Sequence, residues 1–474
     1  MKEYLLSLFI SLNIFCYSQW NNGNISLAQV RSDIEFIDSN HLLVAGGQVW
    51  FSASNNSIAS LAHLYDVTTK QSTILTMNTP RLEPTLVRGD SGIYIIGGIS
   101  NGSDVNGNGI YIENTMEIYR DGNFNQVNMP FRTYEAQAIA LNGKIIVAGG
   151  PKYWKWYQDA ADVMGETNLW IYDEASMTWS SRPSTDNRFY SSAVTDGNIA
   201  IFAGGIVMNN NMPSSILDGF SLSNAYEIYD SQNDTWTTGV LSPGAERAKI
   251  SACHCNGYFV FAGGSVDNNI GSSRIDIYDG NSWTNQTMVQ HGSSNSRAIE
   301  DCATAGNKIL FAGGLDHNLT NFYGGTNIYD RVDIFDSQTQ TFSLDFLLRP
   351  SMDFRMAGYG RRAAVSPSVG SLSTPWQWTP FNEIQVYEDA SWINYVNENL
   401  KNNILLYPNP TKEKITISID NYSGNMRTEV FDLVGNRLQV TNENTISLRD
   451  YSKGIYILKV AYDNRVQEVK VIKD

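Results

Sequence analysis

Two sets of side chains in this 474-residue chain have the types and spacing to do chemistry. Arginine recurs at Arg31, Arg81, Arg132, Arg188, Arg247, Arg297 and Arg355, at intervals of 50 to 59 residues. Gathered in one place, such guanidinium groups would hold an anionic sugar or a carboxylate. Charged residues out of step with that series, Glu83, Glu135, Lys249, Glu300 and the Arg361-Arg362 pair, are sharper candidates. The second set is aromatic: Trp50 and Phe51, then Tyr153, Trp154, Trp156 and Tyr157, then Phe322 and Tyr323, then Trp376 and Trp378. Flat rings stack on the C–H faces of a sugar while nearby amides and carboxylates bond its hydroxyls. The bland use of the same rings is to pack long loops against one another.

Smaller signals are weaker. Asp104, Asn106 and Asn108 have the spacing of a calcium loop, but Thr115 stands where the loop's twelfth-position Glu belongs. Calcium is the one cofactor the sequence suggests, and otherwise none is expected. Cys253 and Cys255, two apart on a strand, point the same way, which is poor geometry for a mutual bridge. Cys302 sits in the corresponding strand of the next repeat, placed to bridge one of them. Alternation turns His254 to the opposite face, which argues against a metal cluster. Nucleophile elbows, phosphate loops and paired-His helix motifs are missing, so the reading leans away from an enzyme.

The elements that must position these residues repeat. An apolar run ending in a glycine pair recurs at Gly46, Gly97, Gly149, Gly204, Gly263 and Gly313. An aromatic, usually joined to an acid, follows each pair: Tyr65, Tyr119, Tyr172, Tyr229, Tyr278 and Phe335, with Tyr387 as a seventh. A second aromatic follows most of these, as at Phe124, Trp179, Trp236, Trp283, Phe342 and Trp392. Counting on from Arg355 lands on Gly370-Ser371, a degenerate pair that makes seven units the preferred count over six. Each unit reads as four short strands, and such sheets bury both faces only by stacking radially into a ring.

The pattern resembles the kelch repeat in its length and its Gly-Gly, Tyr-Asp and Trp landmarks. The resemblance implies an all-β fold, a seven-bladed kelch-type β-propeller, over 19–399. It also implies that the loops after the glycine pairs gather with the arginines at one channel mouth, and that one arginine per repeat commonly braces neighbouring blades. Trp20 lies before Arg31 as Trp236 lies before Arg247, so either the segment near Trp20 or that near Trp392 supplies the last outer strand. Copper-radical galactose oxidases share the fold but need a Tyr-His pair that none of the five histidines offers. Sialic-acid mutarotases share it too, with Arg and Glu near the channel.

Both ends depart from this pattern. Residues 1–18 read as a secretory leader, with an apolar run from Leu5 to Phe15 too short to span a bilayer. Residues 400–474 read as a small β-sandwich, Ile415, Ile417 and Ile419 alternating with polar residues. Its motifs, Tyr407-Pro408-Asn409-Pro410, Val430-Phe431-Asp432-Leu433-Val434-Gly435 and Gly454-Ile455-Tyr456-Ile457, resemble the C-terminal sorting domain of type IX secretion substrates. That resemblance implies recognition by the type IX machinery and export across a Gram-negative outer membrane. Composition agrees: 17% charged residues against roughly 25% in average domains, 12% aromatic, and a net charge of −15. That balance excludes nucleic acid as a partner, which needs clustered Lys and Arg. An extracellular glycan or protein ligand, taken by aromatic loops or by the channel mouth, is the expected partner.

Overall fold

The computed structural model describes residues 20–52, 55–101, 110–157, 160–207, 221–267, 270–289, 297–315, 328–371, 378–389, 404–419, 424, 426–432, 436–462 and 465–474. The chain divides into two compact units, Met1–Asp389 and Ala390–Asp474. Among the described residues, the first unit holds seven four-stranded antiparallel sheets, the blades of a β-propeller. Blade one runs from its inner strand outward as Asp33–Phe36, His41–Ala45, Leu61–Asp66 and Gln71–Thr76. Blades two to six repeat that order within 85–128, 137–183, 192–240, 251–287 and 301–346. Blade seven takes Met356–Tyr359, Arg362–Val365 and Glu383–Glu388, and its outer strand is Trp20–Asn24 from the other end of the unit.

The landmarks have direct physical causes. Each blade's second strand is sandwiched between neighbouring blades, so Ile93–Ile96 or Lys144–Ala148 is apolar on both faces and buried nearly throughout. At the strand's end the chain must turn within contact of the next blade. Gly97 has φ +60°, and a Cβ there would lie 2.1 Å from the Thr133 carbonyl oxygen. The Tyr and Trp landmarks are directly opposed pairs on the third and fourth strands. Their ring centroids are 5.0 Å apart at Tyr172 and Trp179, 4.8 Å at Tyr229 and Trp236, and 5.1 Å at Tyr278 and Trp283. In blade seven this partner is Trp20, 5.4 Å from Tyr387 and paired with it in register. The N-terminal segment therefore closes the ring; Trp392 lies outside the described residues.

Gly370-Ser371 is not the seventh glycine pair. Blade six bridges Ala298 to Leu315, the residue after its pair, and blade seven bridges Met352 to Val369 in the same way. Pro367-Ser368 thus occupies the pair's place, and Gly370 pairs instead with Thr379 in a short hairpin.

The second unit is two small sheets, ordered 404–407, 414–419, 445–447 and 437–441, 426–431, 454–462, 465–473. Ile415, Ile417 and Ile419 are buried against Val430, Leu458, Val460 and Val471, as their alternation predicts.

Candidate functional site

Four of the seven series arginines are braces. Arg81, Arg188, Arg247 and Arg297 are at most 2% exposed. Arg81 donates to the carbonyls of Gly97 and Thr115 at 2.7 and 2.8 Å, and its Nε lies 3.3 Å from Glu117 Oε1. Arg188, Arg247 and Arg297 meet Glu227, Asp276 and Asp333 at 3.3, 2.7 and 2.6 Å. Sealed from the channel, these four are corrected from ligand contacts to structural pairs. Arg132 is half-buried, donating to the Ile112 carbonyl at 2.6 Å and lying over the Tyr111 ring. Arg361 and Arg362 both meet Glu388 on blade seven, away from the mouth cluster.

The true register of the series explains what remains. Gln29 donates to the Leu61 carbonyl at 2.9 Å, and to that of Gly46, as the in-register arginines do to theirs. Thr133 and Ser351 hold the same place in blades three and seven. Arg31 and Arg355 are therefore free of the brace, and both stand at the channel mouth.

Two residues after each brace position the backbone enters the inner strand. Arg31, Glu83, Glu135, Tyr190, Lys249 and Asp353 occupy this place, each left-handed with φ between 46° and 57°. From blade seven to blade three their backbones join in series: Arg31 N donates to Asp353 O, Glu83 N to Arg31 O, and Glu135 N to Glu83 O, at 3.1 to 3.3 Å, while Tyr190 N turns to Gly149 O. That conformation is costly for a side chain with a Cβ, and the interlocked backbone is what holds it.

The mouth so formed opens into a cavity of about 180 Å³ whose walls come from blades three to seven. Tyr190 Oη donates to Glu135 Oε2 at 2.7 Å, and Lys249 Nζ lies 3.2 Å from the same oxygen. Arg355 reaches Glu135 at 4.0 Å and Glu300 at 3.6 Å, and Arg31 pairs with Glu83. Asp33 and Asp301 open the inner strands beneath and bind blade to blade, accepting from Leu86 N and Met356 N at 2.6 and 2.8 Å.

These surroundings drive the carboxyls apart. Burial, reinforced by Asp353, pushes Glu300 up to about 8 against the opposing charges of Arg355 and Lys249. Burial likewise raises Glu83 and Asp33 to about 7, despite Arg31 and Arg355 respectively. At Glu135 burial is overcome by Lys249, Arg355 and the Tyr190 hydroxyl, which hold it down at about 2. Near neutral pH the mouth thus contains a protonated carboxyl and an ionised one on either side of one guanidinium. Burial would weaken the charge on Arg355, but Asp301, Glu300, Glu135 and Asp33 together hold it firmly cationic.

Glu83, Glu135, Lys249 and Glu300 lie together at the mouth, with Arg355 from the series. Tyr190, Asp353, Asp33 and Asp301 join them at the mouth without any signal in the repeat. The aromatic segments rise from the same end: Pro151, which begins the hairpin strand bearing Tyr153, Trp154, Trp156 and Tyr157, accepts from Tyr134 N, the residue before Glu135. Trp50 and Trp378 lie on comparable short strands. Tyr323, Trp376 and the calcium-loop residues Asp104, Asn106 and Asn108 lie outside the described residues. Glu113, between those residues and Thr115, accepts from the Ser100 and Thr115 hydroxyls. No cluster of three metal-ligating side chains occurs among the described residues.

In the second unit Asn409 caps the last strand, donating to Lys470 O at 3.0 Å and accepting from Ile472 N at 2.8 Å. Pro408 and Pro410 flank it, each preceded by a cis peptide bond. Asp432 accepts from Asn436 across its turn, with Gly435 outside the described residues. Tyr456 beside Gly454 is buried and donates to Ser452 O at 2.7 Å, while Tyr407 is 54% exposed. Residues 405–474 match the family described as "Secretion system C-terminal sorting domain". The tail is a type IX sorting domain. It directs the propeller to the cell surface or the extracellular space. The described residues contain no helix long and apolar enough to cross a membrane.

Among curated proteins, "Ulvan lyase NLR42" from Nonlabens ulvanivorans is 40% identical over 73 residues, 14% of this chain and 14% of its own length. The chain therefore spans about a seventh of that relative. The solved structure titled "Structure of YjhT" is 15% identical with a TM-score of 0.47, over 68% of this chain and 98% of that one. Deleting residues 405–474 is expected to abolish appearance of the propeller outside a type IX-secreting cell while leaving it in the periplasm, as read by immunoblotting of fractions.

Proposed function

We propose that the exported propeller binds the end of a glycan at its channel mouth, and that the sugar there is neutral or amine-bearing rather than acidic. One observation carries this reading: the cavity's two cations, Lys249 and Arg355, both face the one ionised Glu135, at 3.2 and 4.0 Å, with protonated Glu300 beside them. An added anion would have to compete with Glu135 for both cations, whereas hydroxyls and ammonium groups donate to carboxylates well. At about 180 Å³ the cavity is smaller than the roughly 300–1,000 Å³ of drug-sized sites, so it suits one sugar ring. A longer glycan would continue over the hairpins bearing Trp50, Trp154 and Trp378, which begin at the same rim. The arginine ring for an anionic sugar loses its support with Arg81, Arg188, Arg247 and Arg297 buried.

Isothermal titration of the full chain with galactose, glucosamine and glucuronate tests this. Galactose or glucosamine is expected to bind at least about tenfold more tightly than glucuronate, and Glu135→Gln to weaken that binding about tenfold or more. Tightest binding by glucuronate, or binding by none of the three, overturns the reading. The protonated Glu300 beside ionised Glu135 favours a second use of the site, proton transfer to the bound sugar without a cofactor. Proton NMR of the same mixtures reads it as anomer exchange that Glu300→Gln abolishes.

A further inference from the structure

We propose that Cys253 and Cys302 are joined by a disulfide between blades five and six in the exported protein. Cys253 lies on the inner strand Ser251–Cys255 of blade five and Cys302 on the inner strand Asp301–Ala305 of blade six. Their sulfurs are 2.6 Å apart, within one shared apolar cluster. Cys255 is engaged elsewhere, its sulfur 3.5 Å from Gly306 O and 3.4 Å from Ser337 Oγ on the far side of its strand's end. Of the three described cysteines, one pairing is therefore geometrically open. The sorting tail sends the chain out of the reducing cytosol into surroundings where such bonds persist.

The chemistry balances by thiol–disulfide exchange. Each thiol gives up a proton, one S–S bond forms, and the two electrons pass to a disulfide-bearing oxidant that leaves as a dithiol. Burial raises the Cys302 thiol well above its ordinary value, which suppresses the reactive thiolate in the folded ring. The bond accordingly forms while the two blades are still closing. Once made, it lies directly beneath the mouth: Cys302 is two residues from Glu300 and Cys253 four from Lys249, so the bridge fixes the spacing of a carboxyl and a cation in the site.

Peptide mapping decides the matter. The exported full chain is denatured without reductant, alkylated with iodoacetamide, then reduced and alkylated with a second reagent. Cys253 and Cys302 are expected to carry only the second label, and to appear before reduction as one linked peptide pair lighter by two hydrogens; Cys255 is expected to carry the first. First label on both Cys253 and Cys302, or Cys255 within the link, overturns the proposal. Cys253→Ser is expected to free Cys302 for the first label and lower the melting temperature by about 5 °C. Because the mapping is read on the unsubstituted protein, a poorly folding variant does not weaken the test.

Discussion

Arg81→Ala is expected to destabilise the propeller by about 3–5 kcal/mol, the cost of leaving one member of a buried ion pair behind. The arginine satisfies two carbonyls, the Thr115 hydroxyl and Glu117, all in a space closed to water. Its loss strands Glu117, fully buried, with only the Asn78 and Thr79 donors. Blade one suggests the rescue. There the two brace positions are Gln29 and His63, both fully buried, with His63 held neutral by burial that drives its pKa down to about 4. The double variant Arg81→Gln, Glu117→His is expected to regain most of the lost stability by substituting two neutral groups for two charges. Thermal melts of the wild type, each single variant and the double form the cycle. A double variant no more stable than Arg81→Ala would show that the pairs are not interchangeable.

The melting temperature is expected to peak near pH 5 and fall by about 5 °C or more towards pH 8.5. Glu300 is raised from 4.5 to about 8, and Glu83, Asp33 and Glu35 to about 7, with burial the largest cause in each. Between pH 4.5 and 8 the folded chain holds protons that the unfolded chain releases, so raising the pH favours unfolding throughout that window. Glu135 works the other way. Held at about 2, it contributes stability above pH 4.5 that is lost as the pH falls towards 2. The two slopes meet near pH 5. Glu300→Gln, at constant ionic strength, is expected to flatten the alkaline limb; a melting temperature that rises from pH 5 to pH 8 contradicts the scheme.

What the sequence made legible were constraints local to one strand end. The glycine pairs mark a backbone turn with no room for a Cβ, and the Tyr and Trp landmarks mark directly opposed ring pairs, so spacing alone finds them. The arginine spacing misleads because a loop of varying length separates each brace position from its glycine pair. Arg31, Arg132 and Arg355 fall near the right offset without holding the brace position. A second signal was present: the residue two before the Tyr landmark is acidic where the arginine is in register, at Glu117, Glu227, Asp276 and Asp333. It is His63, Trp170 or Gln385 where Gln29, Thr133 or Ser351 replaces the arginine. Glu135 and Glu300 stood out because they broke the repeat. Tyr190 and Asp353 did not, since their convergence depends on a left-handed backbone that no residue type announces.

Asn382 donates to the Ile25 carbonyl across 357 positions of sequence, alongside the strand pairing of Trp20 with Tyr387. Bringing such distant segments together carries a chain-entropy cost of about 5 kcal/mol before any contact compensates. A chain delivered N-terminus first therefore carries its closing strand bare, an apolar Trp20 and open backbone donors, until residue 388 arrives. The six blades in between can form in turn, but the circle is a single late event. Folding of this protein is then governed less by how fast strands pair than by how long its first strand can wait without pairing with a neighbour's.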